Sequence, residues 1–181
     1  CLCFFSVFVL IGCLGGQTND TSSGKKSGKR SSALHQEMAI GSEAPDFTAK
    51  LNNGETFTLS DKKGQVILLN FWATWCSNCV KEMPAIEKLY EEYGDQIVIV
   101  GVNVGEDEDT IDTFIEAKNY SFPVTCDTES NISNLYPSAG IPYTVIVGKD
   151  GLVTETFLGA KDADSQYTKL RRALQEAYEA N

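Results

Sequence analysis

An α/β architecture, a central mixed sheet with helices on both faces, is the fold class this sequence predicts. Two continuous apolar runs, Val66–Trp72 and Ile97–Val102, have the composition of buried central strands. A segment of helical period lies between them, and a hairpin followed by a further helix closes the chain. Strand, helix, strand, then hairpin and helix is a succession that packs as a mixed sheet against helical layers.

Gly41-Ser42-Glu43-Ala44-Pro45-Asp46-Phe47 opens the domain with a turn, and Phe47–Leu51 alternates as a short strand. Asn52-Asn53-Gly54 signals a hairpin into Glu55–Leu59. Lys62-Lys63-Gly64 then turns the chain into the first buried run. A helix begins near Cys76, with Ile86, Leu89, Tyr90 and Tyr93 at helical spacing and Gly94 at its end. Pro84 inside it predicts a kink. Thr110–Lys118 reads as a helix with Ile111, Phe114 and Ile115 on one face. Phe122–Cys126 reads as a short extended piece and Ile132–Tyr136 as a brief helix. Tyr143–Val147 and Leu152–Phe157 flank Lys149-Asp150-Gly151, a hairpin signal. The closing helix spans Ser165–Glu179, with Leu170, Leu174 and Tyr178 aligned. There are no internal repeats.

The N-terminal part has a different character. Leu2–Leu14 is almost wholly apolar but too short for a stable spanning helix, which needs roughly 20 residues. It has the length of a signal-peptide hydrophobic region. With Cys1 first and no initiator Met, the leader is expected to be incomplete at its start. Leu10-Ile11-Gly12-Cys13 resembles the bacterial lipoprotein signal, which implies cleavage before Cys13 and lipid attachment to its sulfur. Gln17–Ser32 is rich in Ser, Gly, Thr, Asn and Lys and reads as a tether whose basic residues favour anionic headgroups. The expected organisation is a signal segment over 1–13, a tether over 14–38 and one domain over 39–181.

The formal net charge is −10, although the tether holds Lys25, Lys26, Lys29 and Arg30, so the domain is more acidic still. A surface of that sign repels phosphates, and nucleic acid is set aside as a partner. Of six cysteines, Cys1, Cys3 and Cys13 lie in or at the end of the apolar leader. A domain of this size buries enough core without disulfide staples, so Cys76, Cys79 and Cys126 need another explanation.

Trp75-Cys76-Ser77-Asn78-Cys79 sits where a buried strand meets a helix. Unpaired N–H groups and the dipole at a helix N-terminus favour a thiolate there, which makes Cys76 the expected nucleophile. Cys79, about one helical turn on, is placed to resolve the mixed disulfide. Half of a zinc site looks the same. However, there is no second CxxC, and the sole histidine, His35, lies in the tether. No metal and no separate cofactor are expected beyond a redox-active Cys76–Cys79 disulfide. Cys126 is expected to be a small core residue, Trp72 core, and Trp75 an apolar contact surface beside Cys76. Glu106-Asp107-Glu108-Asp109 is expected to cap the helix that follows it.

The stretch Asn70–Pro84 resembles the active-site segment of the TlpA/ResA branch of thioredoxin-like proteins. Val102-Asn103-Val104-Gly105-Glu106 and Gly140-Ile141-Pro142 extend the likeness, which runs from about Ala39 to the C-terminus. The resemblance implies a thioredoxin fold with an N-terminal β-hairpin and an insertion after the second core strand. It implies that Pro142 is the family's cis-proline and that the Ile141 backbone pairs with an extended substrate. Asn70 stands where thioredoxin carries a buried Asp and cannot titrate, whereas Glu82 shares a helix face with Cys79 and is expected to handle its proton.

The leading expectation is a membrane-tethered, extracytoplasmic reductase of oxidised proteins. Apocytochrome c is one implied substrate, and a membrane thiol transporter of the CcdA or DsbD kind is the implied electron donor. A disulfide-forming oxidase is the second reading, which a redox titration separates from the first. A peroxiredoxin is the third, because Gly41–Phe47 also resembles the start of that family; against it stand the intact CxxC and the missing upstream proline.

Overall fold

In the computed structural model, residues 37–180 are described. The expected leader, nearly all of the tether, and Cys13 with its lipidation lie outside these residues. Among the described residues no helix is long and apolar enough to cross a membrane.

A short antiparallel hairpin comes first, β1 (Thr48–Lys50) and β2 (Thr56–Thr58), turning at Asn52–Gly54 as its sequence predicts. Next come β3 (Val66–Trp72), α1 (Ser77–Tyr93), β4 (Ile97–Val104), α2 (Glu108–Lys118) and β5 (Val124–Asp127). The chain closes with β6 (Tyr143–Val147), β7 (Val153–Leu158) and α3 (Ala163–Glu179). The five-stranded sheet has the order β5-β4-β3-β6-β7, parallel across β3, β4 and β5 and antiparallel beyond β3. It is the mixed sheet expected, with α2 and β5 as the insertion that follows the second core strand.

All seven residues of β3 are buried, which is why its sequence is an apolar run rather than an alternation. Val66, Leu68 and Trp72 face a core shared with Met83, Ile86 and Leu89 of α1, Ile111 and Ile115 of α2, and Leu170 and Leu174 of α3. Ile67, Leu69 and Phe71 face the opposite way, onto Phe47, Phe57, Leu59 and Tyr136. The three α-helices thus share one core. The second face, where helices are also expected, is covered instead by the N-terminal segment, the hairpin and two 3-10 turns, Leu59–Lys62 and Ser133–Leu135.

The helix α1 runs as one span through Pro84 and ends at Gly94, whose φ of 51° suits a residue without a Cβ. One expectation for α3 fails. Tyr178 is exposed, and Ala173 and Ala177 complete the buried face instead. Eight residues carry a helix about 80° past two full turns, so the stripe begun at Leu170 drifts to 177 rather than 178.

Candidate functional site

The site forms at the carboxyl ends of the parallel strands, where β3 gives way to α1. Cys76 caps α1 with extended backbone, φ −84° and ψ 101°, and its Sγ accepts the Cys79 N–H at 3.2 Å. Cys76 and Cys79 are joined as a disulfide, their Cα atoms 5.2 Å apart. The two residues differ in access: Cys76 is 8% exposed and Cys79 only 1%. Between β5 and β6 the chain returns over this point. The Ile141–Pro142 peptide is cis, and the Ile141 carbonyl oxygen lies 3.7 Å from Cys76 Sγ.

Trp75 projects beside Cys76 and is 70% exposed, while Trp72 is fully buried against Phe114. Trp75, Phe71, Tyr136, Pro137 and Ile141 line a groove of about 510 Å³ together with Ser133 and Asn134, and among the described residues no charged side chain lines it. Tyr136 is fixed there by donating its hydroxyl to the Pro45 carbonyl at 2.6 Å, and burial holds its pKa well above the ordinary phenol range. The structure therefore brings together Trp75, Cys76, Cys79, Ile141 and Pro142 from segments far apart in sequence.

Glu82 lies one turn beyond Cys79 on α1 and is 1% exposed. Three side chains donate to its carboxylate: Gln166 Nε2 to Oε1 at 2.7 Å, Asn70 Nδ2 to Oε2 at 3.2 Å, and Thr144 Oγ1 to Oε1 at 3.4 Å. Asn70 Nδ2 also donates to Thr144 Oγ1 at 2.9 Å, which leaves the threonine proton free for Glu82. Burial pushes the Glu82 pKa up, against these hydrogen bonds, which pull it down. Asn70 does not titrate, yet it touches the group that does. No motif in the sequence points to Gln166; the one signal for it is its place four residues before Leu170, on the buried stripe of α3.

A second glutamate also reaches the site. Gly105, at φ 83°, turns the chain sharply after β4 and aims Glu106 back at the β3–α1 connection. There Glu106 Oε2 accepts the Thr74 N–H at 2.7 Å and Asn103 Nδ2 at 2.8 Å, and Oε1 accepts the Thr74 hydroxyl. Of the acidic run expected to cap α2, only Asp107 serves as the N-cap, accepting from the Thr110 N–H at 2.8 Å. Glu106 instead holds the turn that carries Trp75 and Cys76. Cys126 is likewise not the apolar core residue expected. It is partly exposed, with its Sγ 3.0 Å from the Glu106 carbonyl and 2.9 Å from Thr128 Oγ1, because it lies at the sheet edge on β5.

Comparison with known proteins decides the family. Residues 40–156, well over half of the chain, match the AhpC/TSA family. The chain belongs to that family. It is 34% identical over 167 residues to the thioredoxin-like protein YneN of Bacillus subtilis, spanning 91% of this chain and 92% of the relative. It is 37% identical over 123 residues to the thiol-disulfide oxidoreductase ResA of Geobacillus kaustophilus, spanning 67% of this chain and 71% of the relative. Among solved structures, a thiol:disulfide interchange protein from Chlorobium tepidum superposes with a TM-score of 0.67, covering 77% of this chain and 98% of that one. At 22% identity it shows the thioredoxin-like fold. The exposed lipoprotein thioredoxin of Streptococcus pneumoniae, 27% identical, superposes with a TM-score of 0.61 over 71% of this chain and 99% of its own. The chain is a thiol–disulfide oxidoreductase of ResA type.

Proposed function

We propose that this oxidoreductase works as a reductase of disulfides in extracytoplasmic proteins, held to the membrane through a lipid on Cys13. The unequal exposure of the two cysteines supports the mechanism: Cys76, at 8%, is the more accessible and lies next to exposed Trp75 and the Ile141 carbonyl, and Cys79, at 1%, is fully buried. In the reduced enzyme the Cys76 thiolate, favoured by the α1 N-terminus and the Cys79 N–H, attacks a substrate disulfide. One substrate thiolate leaves, and a mixed disulfide joins Cys76 to the other substrate sulfur.

Cys79 then attacks Cys76 Sγ, releasing the second substrate thiolate and closing the Cys76–Cys79 disulfide. The buried carboxylate of Glu82, on the same face of α1, accepts the Cys79 proton as that sulfur becomes a nucleophile. Two electrons pass from the pair to the substrate, and no other cofactor takes part. The pair is restored by an external dithiol, for which a membrane thiol transporter of the CcdA or DsbD kind is the proposed donor. An extended substrate segment would pair with the Ile141 backbone beside Pro142 and lay an uncharged side chain in the groove next to Trp75. Oxidised apocytochrome c is a substrate of the required kind. The names of the ResA relatives and the surface-lipoprotein description of the pneumococcal structure support this reading.

A Cys79→Ala variant is expected to accumulate a mixed disulfide with its substrate, whereas Cys76→Ala traps nothing. Mass spectrometry of the trapped partner names the substrate. Trapping through Cys79 in a Cys76→Ala chain would overturn the assignment of the nucleophile. A redox titration decides the direction, since a potential well above thioredoxin's roughly −270 mV would make the enzyme an oxidase.

A further inference from the structure

Resting on the proton role proposed for Glu82, we infer that Gln166 is a positioning residue that keeps the Glu82 carboxyl available as a proton acceptor. Among the described residues every side chain bonded to Glu82 donates to it, so these bonds favour the anion against the burial that disfavours it. The donors are unequal. Asn70 divides one amide between Glu82 and Thr144, at 3.2 and 2.9 Å. Thr144 reaches Glu82 only at 3.4 Å. Gln166 alone makes a short bond, 2.7 Å, and it does so from a side chain that is 4% exposed. A short bond to a carboxylate in a dry site counters desolvation more than a long one.

The placement of Gln166 is itself determined by α3. Asp162 caps the helix by accepting the Ser165 N–H at 2.9 Å, and the Gln166 N–H bonds the Asp162 carbonyl at 3.1 Å. The first turn of α3 therefore aims Gln166 into the sheet at Asn70 and Thr144, in line with the buried Leu170 and Leu174. The groups facing Glu82 leave few other ways to set its charge. The strands β3 and β6 present only neutral Asn70 and Thr144. The helix α3 presents Gln166 and, farther off, the Lys169 ammonium, which lies 4.3 Å above the Phe157 ring. On α1 itself the titratable neighbour is Cys79.

In the catalytic cycle, Glu82 must be ionised when Cys79 gives up its proton. Without the Gln166 donor, burial prevails and Glu82 stays protonated to higher pH. Release of the mixed disulfide would then slow, while attack by Cys76 would not.

The test uses Gln166→Met, which keeps the length of the side chain and removes the donor, in the oxidised full chain. Titration of the Glu82 carboxyl by ¹³C NMR is expected to show a midpoint about one pH unit higher than in the parent, tenfold in proton affinity. In the reduced chain, release of the mixed disulfide is expected to slow by a similar factor at pH values below both midpoints, with formation unchanged. An unmoved midpoint in a folded variant overturns the assignment. If Gln166→Met does not fold, the parent protein still decides. Its Gln166 side-chain ¹⁵N resonance should titrate with the Glu82 midpoint, and a resonance indifferent to that midpoint overturns the assignment. Glu82→Gln separates the two failures. An unchanged pH profile of exchange in that variant removes the proton role of Glu82, whereas the NMR midpoint bears on Gln166 alone.

Discussion

Two glutamates flank the disulfide, and their surroundings differ in almost every respect. Glu82 lies in the dry layer between the sheet and α3, bonded among the described residues to neutral side chains alone, and burial raises its pKa. Glu106 is half-buried at the end of β4, and its principal partner is the backbone N–H of Thr74. The first is a carboxyl whose charge is costly and therefore adjustable. The second is a staple that fixes the turn bearing Trp75 and Cys76. The same side chain is thus suited to proton transfer or to holding a loop, depending on whether water can reach it.

Truncation tests that contrast most strongly. Glu82→Ala leaves Gln166, Asn70 and Thr144 without their acceptor and opens a cavity, so a loss of about 3 kcal/mol is expected in urea unfolding of the oxidised protein. Glu106→Ala is expected to cost less, about 1 kcal/mol, because water can replace the lost partner of Thr74. It should nevertheless slow disulfide exchange, since the turn before Cys76 loses its clamp. Equal losses of stability would erase the distinction between the two sites.

The pH dependence of stability sharpens the same point with a smaller effect. A carboxyl whose folded pKa is raised binds more protons in the folded state than in the unfolded one. Its favourable contribution is complete below the ordinary value of 4.5 and is lost as pH rises through the folded pKa. Glu82→Gln removes that loss, so the variant should gain on the parent as pH rises above 4.5, measured by unfolding at a series of pH values. A constant difference across that range would mean that Glu82 is not held in a desolvated site. The smallest effect is expected from Asp162→Ala. Loosening the first turn of α3 should move the Glu82 midpoint upward, as Gln166→Met does but by less, in the same NMR titration.

Much of this was legible in the sequence because it depended on near neighbours. The apolar run Val66–Trp72 identified the central strand, and every one of its residues is buried. Asn52-Asn53-Gly54 marked the hairpin, Gly94 the end of α1, and the spacing of Cys76 and Cys79 the disulfide at a helix start. These features follow from backbone preference and from the period of apolar residues, which a sequence displays directly.

What the tertiary structure decided is which polar side chains meet. Glu82 and Gln166 are 84 residues apart, and neither local pattern indicates the other. Glu106 read as one more charge before a helix, until the turn at Gly105 aimed it at Thr74. Cys126 read as a core thiol, but the sheet places β5 at an edge. The physical reason is common to all three. Apolar burial is nearly indifferent to the partner and can be read one residue at a time, whereas a hydrogen bond requires two particular atoms within about 3 Å, which only the folded chain can arrange.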